Sequence, residues 1–351
     1  MSKAIKHIAV IRLSAMGDVA MTVPILRAFA KTYPDIKITM VSRPFFQPLF
    51  EDLPNISFFP IDLKHRHKGF LGLFKLYSDL KNFDIDAFAD LHQVLRSKVV
   101  RSLFAISGKK TATIDKLRDQ TKALTRGENK IFKPLPSVFE RYAKVFSDLG
   151  YPVSLENPTF DKQKQLDDET VSFVGEKLQH WIGIAPFAQH QSKVYPTDLM
   201  QSVISSLAEN RDNTIFLFGS KSDLNDLNSF AANHKNAIVV TGNLDFKQEL
   251  TLISNLDLML SMDSANAHIA ALYGIKVVTL WGATHPFTGF YPFHQPIKNA
   301  LMADRKKYPK LPTSVYGNKK IVGYEDVMRT ISPKVVVEKV NELLKNEKTT
   351  F

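Results

Sequence analysis

The 351-residue sequence contains no cysteine, which excludes disulfides, thiolate metal sites and a cysteine nucleophile together. It also lacks an apolar run long enough to span a membrane, the longest candidates being broken by Lys, Asp or Pro. The first six residues are basic, but the apolar stretch behind them, 8–11, is too short for a signal-peptide core and reads as a first strand. There is no short-period repeat and no low-complexity segment. The Gly-Lys-Ser/Thr ending of a Walker loop is absent, and so is the three-glycine dinucleotide fingerprint, which argues against a nicotinamide enzyme. No cluster of carboxylates and histidines has the look of a metal site, and no helix-turn-helix, zinc or aromatic-platform signature points to nucleic acid. These absences lead us to expect a cytoplasmic protein with no cofactor, no metal and no nucleic-acid partner.

What is present is ordinary in bulk and uneven in charge. With 44% hydrophobic and 23% charged residues the chain reads as globular, and its length exceeds what one core usually fills, so two domains are expected. The net charge of +11 lies entirely in the first half. Residues 1–165 hold 27 Lys/Arg against 16 Asp/Glu, whereas 166–351 hold 19 of each. Within the first half, 96–133 carries 11 basic and 3 acidic residues. Such an asymmetry points to an anionic partner such as phosphate groups, nucleic acid or a membrane surface, the plainer alternative being a solvated basic face.

Short β-branched runs alternate with amphipathic stretches, the pattern of a parallel sheet with crossover helices. In the first half, strands are expected at 7–13, 36–41, 57–61, 85–90 and 111–114, and helices at 19–32, 71–80, 94–106 and 138–149. The polar, basic stretch 115–136 reads as a long loop and 151–169 as a linker. In the second half, strands are expected at 181–185, 214–218, 237–240, 256–260 and 276–280, and helices at 197–210, 223–233, 247–254, 266–273 and 333–345. The expectation is two Rossmann-like, doubly wound domains, 1–165 and 166–351, facing each other across a cleft at the carboxyl ends of their strands, where such sheets bind ligands. A last helix extending to 346 is free to pack back on the first domain.

Three segments carry candidate chemistry. The first strand runs into Arg12-Leu13-Ser14-Ala15-Met16-Gly17-Asp18, where Gly17 permits a tight turn and Asp18 lands at a helix start. Asp18 there suits an N-cap as well as a base. Ser192-Lys193-Val194-Tyr195-Pro196 places a lysine that could neutralise a diphosphate or simply be solvated. Ser261-Met262-Asp263-Ser264-Ala265-Asn266-Ala267-His268 spans a strand end and a helix start, either an ordinary cap or a phosphate seat made of free amides and helix dipole.

The stretch RLSAMGDVAMTVP (12–24) resembles the opening motif of the ADP-heptose:lipopolysaccharide heptosyltransferases, glycosyltransferase family 9. Gly219 with Asp223 resembles the family's Gly-Gly-x-x-Glu turn, and Gly242-Asn243-Leu244 through Glu249-Leu250 its next helix entry. Residues 263–268 resemble its Asp-Ser/Thr-Gly-x-x-His signature, and Leu280-Trp281-Gly282-Ala283-Thr284 its following strand and loop. The resemblance implies a GT-B fold with the acceptor on the first domain and a nucleotide-sugar on the second. It further implies inversion at the anomeric carbon without metal. By position, Asp18 matches the catalytic base. Arg12, Gly17, Lys193, Asp223, Asp263, Ser264, Ala265, Asn266 and His268 match the donor site. Ala265 departs from the usual Gly and Asp223 from the usual Glu, and 311–323 resembles a segment that carries cysteines in some relatives. The partners implied are ADP-heptose and an acidic glycolipid, with weak peripheral association at the inner face of the inner membrane. The basic cluster offers Arg96, Lys98, Arg101, Lys109 and Lys110 as acceptor contacts. Other readings are transfer from a different nucleotide-sugar, or a relative that binds such ligands without turnover.

Overall fold

The computed structural model describes residues 5–345. Residues 1–4 and Asn346, at which the last helix was expected to end, lie outside the described residues. The chain divides into two compact units, Met1–Leu117 with Pro136–Thr159, and Arg118–Leu135 with Phe160–Phe351. The boundary expected at 165/166 thus falls at 159/160, and the polar stretch 118–135 belongs to the second unit.

The chain runs through β1 (His7–Ile11), α1 (Met16–Ala20), α2 (Val23–Thr32), β2 (Lys37–Ser42), β3 (Ile56–Pro60), α3 (Gly69–Lys81), β4 (Ala87–Asp90), α4 (Leu95–Ile106) and β5 (Lys110–Thr113). After α5 (Arg118–Thr125), part of the second unit, α6 (Val138–Asp148) completes the first. The sheet is parallel in the order β3-β2-β1-β4-β5. Because a parallel sheet is covered on both faces, its central strands are continuous apolar runs rather than alternating ones. Ile8, Ala9, Val10 and Ile11 are all fully buried, each large side chain contributing on the order of 1.5–3 kcal/mol. Right-handed crossovers put α3 and α4 on one face and α2, packed on α6, on the other. The helix expected over 19–32 is broken between α1 and α2, because Pro24 has no N–H to give and cannot sit deep in a helix. At α6, Ser137 Oγ accepts from Glu140 N (3.1 Å) and Glu140 Oε2 from Ser137 N (2.7 Å), a capping box worth about 1 kcal/mol.

The second unit holds α7 (Asp168–Val174), β6 (His180–Ala185), α8 (Thr197–Ala208), β7 (Asn213–Leu217), α9 (Leu224–Ala231), β8 (Ala237–Val239), α10 (Phe246–Ile253), β9 (Leu258–Met262), α11 (Ala265–Leu272), β10 (Lys276–Trp281), β11 (Ala300–Met302) and α12 (Pro333–Lys345). Its parallel strand order is β11-β10-β9-β6-β7-β8. Counted within the unit this is 6-5-4-1-2-3, the doubly wound order. The last helix packs on α8 and lays Val336, Val340 and Leu343 into the core of its own unit. The expected loop 115–136 contains α5, and its tail is pinned to the second unit. Leu135 N donates to Phe287 O (2.9 Å), and Lys130 Nζ donates to the carbonyls of Leu124 (3.0 Å), Lys310 (2.9 Å) and Pro312 (2.6 Å). Burial, with Arg305 nearby, lowers the Lys130 ammonium to about 8.

Candidate active site

In an open doubly wound sheet, ligands bind where the strand order reverses, outside the carboxyl ends. In the first unit that point lies between β1 and β4. Arg12, one residue past β1, is buried. Its Nε donates to Ser14 O (2.8 Å), its NH1 to Leu91 O just past β4 (2.7 Å), and its NH2 lies 2.7 Å from Asp18 Oδ2. Asp18 Oδ2 also accepts from Ala15 N (3.1 Å). Asp18 is therefore the third residue of α1, reaching back to close the turn, with Ala15 at the N-cap position expected for Asp18. Gly17 sits inside the first turn of α1, its carbonyl accepting from Met21 N, rather than in a tight turn before it.

The reversal point holds residues that sequence reasoning missed. Buried Asp90, the last residue of β4, accepts through Oδ1 from His92 N (2.9 Å) and Gln93 N (2.8 Å), and Gln93 takes a left-handed φ of 51°. This bend places His92 Nδ1 3.4 Å from Leu13 N, as acceptor, and Nε2 3.5 Å from Ser14 Oγ. Burial, then the charges of Arg12, Lys116, Arg43 and Arg96, pushes the His92 ring down to about 3. His92 is therefore neutral at neutral pH, with the charges of four cations acting on it. They follow β1, β5, β2 and β4 respectively, so each stands at a carboxyl end. The signal available in the sequence was a basic residue shortly after each of these strands.

The expected acceptor residues divide. Arg96 and Lys98 lie in the first turn of α4, exposed, at the carboxyl edge of the sheet. Arg101 Nε lies 3.8 Å from Asp90 Oδ2 beneath it. Lys109 and Lys110 are not brought to the site. They enter β5 at the opposite edge, where Lys109 Nζ lies 4.0 Å from Asp86 Oδ1 and Lys110 Nζ donates to Leu149 O (2.9 Å). The other half of the basic cluster, Arg118, Lys122, Arg126, Lys130 and Lys133, belongs to the second unit.

In the second unit the reversal point lies between β6 and β9. Asp263, directly after β9, is buried, and its Oδ2 takes Lys193 Nζ at 3.0 Å and Thr284 Oγ1 at 2.8 Å. Ser264 is the N-cap of α11, but its hydroxyl pairs with Ser261 Oγ (2.9 Å) and makes no capping bond. The first amides of α11, at Ala265 and Asn266, are thus left by that side chain for an anion. His268 is buried on the same helix. Asp223 closes its own turn through Oδ2, which accepts from Ser220 N (2.8 Å) and Oγ (2.6 Å). The segment resembling the cysteine-bearing one covers Lys193. Gly317 O accepts from Ser192 Oγ (2.6 Å), and at φ +79° a Cβ on Gly317 would lie 2.5 Å from Lys193 Cδ. Among the described residues no three His, Asp or Glu side chains are grouped to hold a metal ion, and no helix is long and apolar enough to cross a membrane.

Residues 73–320 match the profile of glycosyltransferase family 9 (heptosyltransferase). The chain belongs to this family. It is 25% identical to the lipopolysaccharide core heptosyltransferase OpsX of Haemophilus influenzae over 304 residues, 85% of this chain and 82% of that one. Its fold is similar to the family 9 glycosyltransferase of Veillonella parvula, with a TM-score of 0.74, 20% identity and 98% of both chains covered. It is similar also to the E. coli heptosyltransferase WaaC solved with ADP and with ADP-2-deoxy-2-fluoro heptose, with a TM-score of 0.65, 16% identity, and 96% and 99% covered. The α/β, GT-B expectation therefore holds, and this family 9 protein is a glycosyltransferase.

Proposed function

We propose that this family 9 glycosyltransferase moves a heptose from ADP-heptose to an acidic lipopolysaccharide-core acceptor, with inversion and without a metal. The observation that carries this reading is the placement of Arg12, Arg43, Arg96 and Lys116 after four strands of the first sheet, at the carboxyl edge whose reversal point holds Asp18 and a neutral His92. Phosphate or carboxylate groups of an acceptor suit such a cationic rim. A sugar hydroxyl is a poor nucleophile, so a carboxylate must take its proton as the new bond forms. Asp18 does this through Oδ1, which carries neither the Arg12 nor the Ala15 bond. Arg12, bonded also to Ser14 O and Leu91 O, holds Asp18 in place.

The acceptor oxygen bonds to the anomeric carbon from the face opposite the departing diphosphate, the old carbon–oxygen bond breaks, and ADP leaves with both electrons. Lys193 and the first amides of α11 meet the growing negative charge. Asp263 offsets part of the Lys193 charge, so the amides carry a share. The ADP reading is supported by the ADP complexes of the E. coli relative. The test is release of nucleoside diphosphate from ADP-heptose and from other nucleotide-sugars, with and without a core glycolipid. Release that needs both ADP-heptose and the acidic acceptor is expected. Equal or greater release from another donor overturns the sugar assignment, and no release from any donor overturns transfer.

A further inference from the structure

In the first unit, the first turns of α3 and α4 both present large apolar side chains to solvent. On α3, Phe70 is 66%, Leu71 76% and Phe74 42% exposed, and on α4 Leu95 is 77% exposed. These belong together. The helices pack side by side, and the edge-to-face contact of Tyr77 with Phe104 (5.0 Å) sets their register, so the first turns of α3 and α4 are neighbours. Both helices begin at the carboxyl edge of the sheet, the edge that carries Asp18 and the cations around His92. Phe70 and Phe74 touch edge to face at 5.3 Å, which keeps both rings on the outer side of α3 while Leu73, Leu76 and Leu80 fill the core beneath.

Basic residues frame the apolar ones. Lys64, Lys68 and Lys75 are exposed and make no ion pair among the described residues, and Arg96 and Lys98 flank Leu95. Apolar side chains at the centre with long cationic ones at the rim are the composition of a surface that lies in a lipid interface. The rings enter the acyl boundary and the ammonium groups snorkel to anionic headgroups. Exposed large apolar side chains grouped and rimmed by charged ones mark an interaction surface.

We propose that the first turns of α3 and α4, with Phe70, Leu71, Phe74 and Leu95, dock on an anionic lipid bilayer and bring the carboxyl edge of the first sheet to a lipid-anchored acceptor. This deepens the proposed function and rests on it for the acceptor alone. Docking itself is read without donor or acceptor. The insertion of apolar side chains distinguishes it from purely electrostatic attachment, which salt would abolish.

The test is flotation of the full chain with phosphatidylcholine vesicles, with and without phosphatidylglycerol. The wild type is expected to bind the anionic vesicles and to keep part of that binding at about 1 M salt, where the Debye length is about 3 Å. The triple variant Phe70→Ser, Leu71→Ser, Phe74→Ser is expected to partition about ten-fold more weakly at both salts, with unchanged melting and unchanged transfer to a delipidated acceptor. A Lys64→Gln, Lys68→Gln, Lys75→Gln variant is expected to lose only the preference for anionic vesicles. Failure of the wild type to bind, or binding that the serine variant retains, overturns the proposal. So does a wild-type dimer that the serine variant makes monomeric without any effect on vesicles, which assigns the face to a second copy. Vesicle binding without nucleoside diphosphate release leaves docking standing and overturns the transferase reading.

Discussion

Arg12 NH2 stands 2.7 Å from Asp18 Oδ2, and the same guanidinium reaches across to Leu91 O at the end of the neighbouring strand β4. A single side chain therefore ties the candidate base to both strands of the reversal point. Asp18→Asn keeps an oxygen that can accept from Ala15 N but loses the charge that pairs with Arg12 and the capacity to take a proton. A fall in kcat of about 10²–10⁴ is expected, with a stability loss of about 1–2 kcal/mol from the weakened buried contact. Steady-state kinetics and urea denaturation of the same preparation separate the two. Full turnover by the variant would leave Asp18 with only its turn-closing role.

Lys193 and Asp263 form a largely buried pair, their side chains 14% and 7% exposed. Lys193→Ala therefore strands a carboxylate whose remaining bond is to Thr284, a loss of about 3 kcal/mol. It is expected to weaken ADP binding as well, and because the pair is shielded that loss should change little with salt. Calorimetric titration at two salt concentrations checks this. Adding Asp263→Asn to Lys193→Ala should recover stability but not ADP affinity, and a strictly additive double variant would show that the pair is not coupled.

The sheets were legible in the sequence because their strands are buried on both faces and read as apolar runs, as in Leu258–Met262. Three features were not. α5 buries only Leu124 and Thr125, too few positions for a helical period, and so its sequence reads as a loop. The break before α2 depends on Pro24 falling just inside a helix start, where an apolar run continues through it. The cations around His92 are 12, 43, 96 and 116 in the chain, and only the strand order brings them to one edge. The motif residues Asp18, Lys193 and Asp263 could be named from local pattern. That Arg12, Thr284 and Gly317 are their partners required the fold, and Lys109 and Lys110, counted with the basic cluster, proved to enter their strand from the wrong end.

Gly317 follows from that fold. Its φ of +79° disfavours any side chain, and a Cβ would press on Lys193 Cδ at 2.5 Å. Gly317→Ala is expected to cost about 1–2 kcal/mol through the left-handed conformation and to shift Lys193 from Asp263, raising the Kd for ADP several-fold. Lys193→Ala in the same background should then add less than it does alone. Full additivity of the two would mean that the glycine serves only its own turn.

Acid should act differently on the two units. In the first, burial and four cations push His92 down to about 3, and burial lowers His7 as well. Between that range and about 6.5 the unfolded chain binds protons that the folded unit refuses, so stability rises with pH and is lost on acidification, at up to about 1.4 kcal/mol per pH unit for each proton of difference. In the second unit, burial and then the charges of Arg305 and Lys130 push His285 down to about 4, which has the same sign. Glu249 opposes it. Burial, with Asp245 nearby, raises Glu249 to about 7, so between about 4.5 and 7 the folded unit holds a proton that the unfolded chain has released, and stability falls as pH rises. The two effects offset in the second unit and nothing comparable offsets them in the first. Both tryptophans, Trp181 and Trp281, lie in the second unit, so their fluorescence follows that unit alone while far-ultraviolet circular dichroism follows both. From pH 7 to 5 the fluorescence midpoint in urea should move little, and a separate dichroism transition should move to lower urea. His92→Gln should flatten the latter, and Glu249→Gln should make the former acid-sensitive. A fluorescence midpoint that drops with acid in the wild type, or a dichroism transition that His92→Gln leaves unchanged, would remove the assignment of these protons to these side chains.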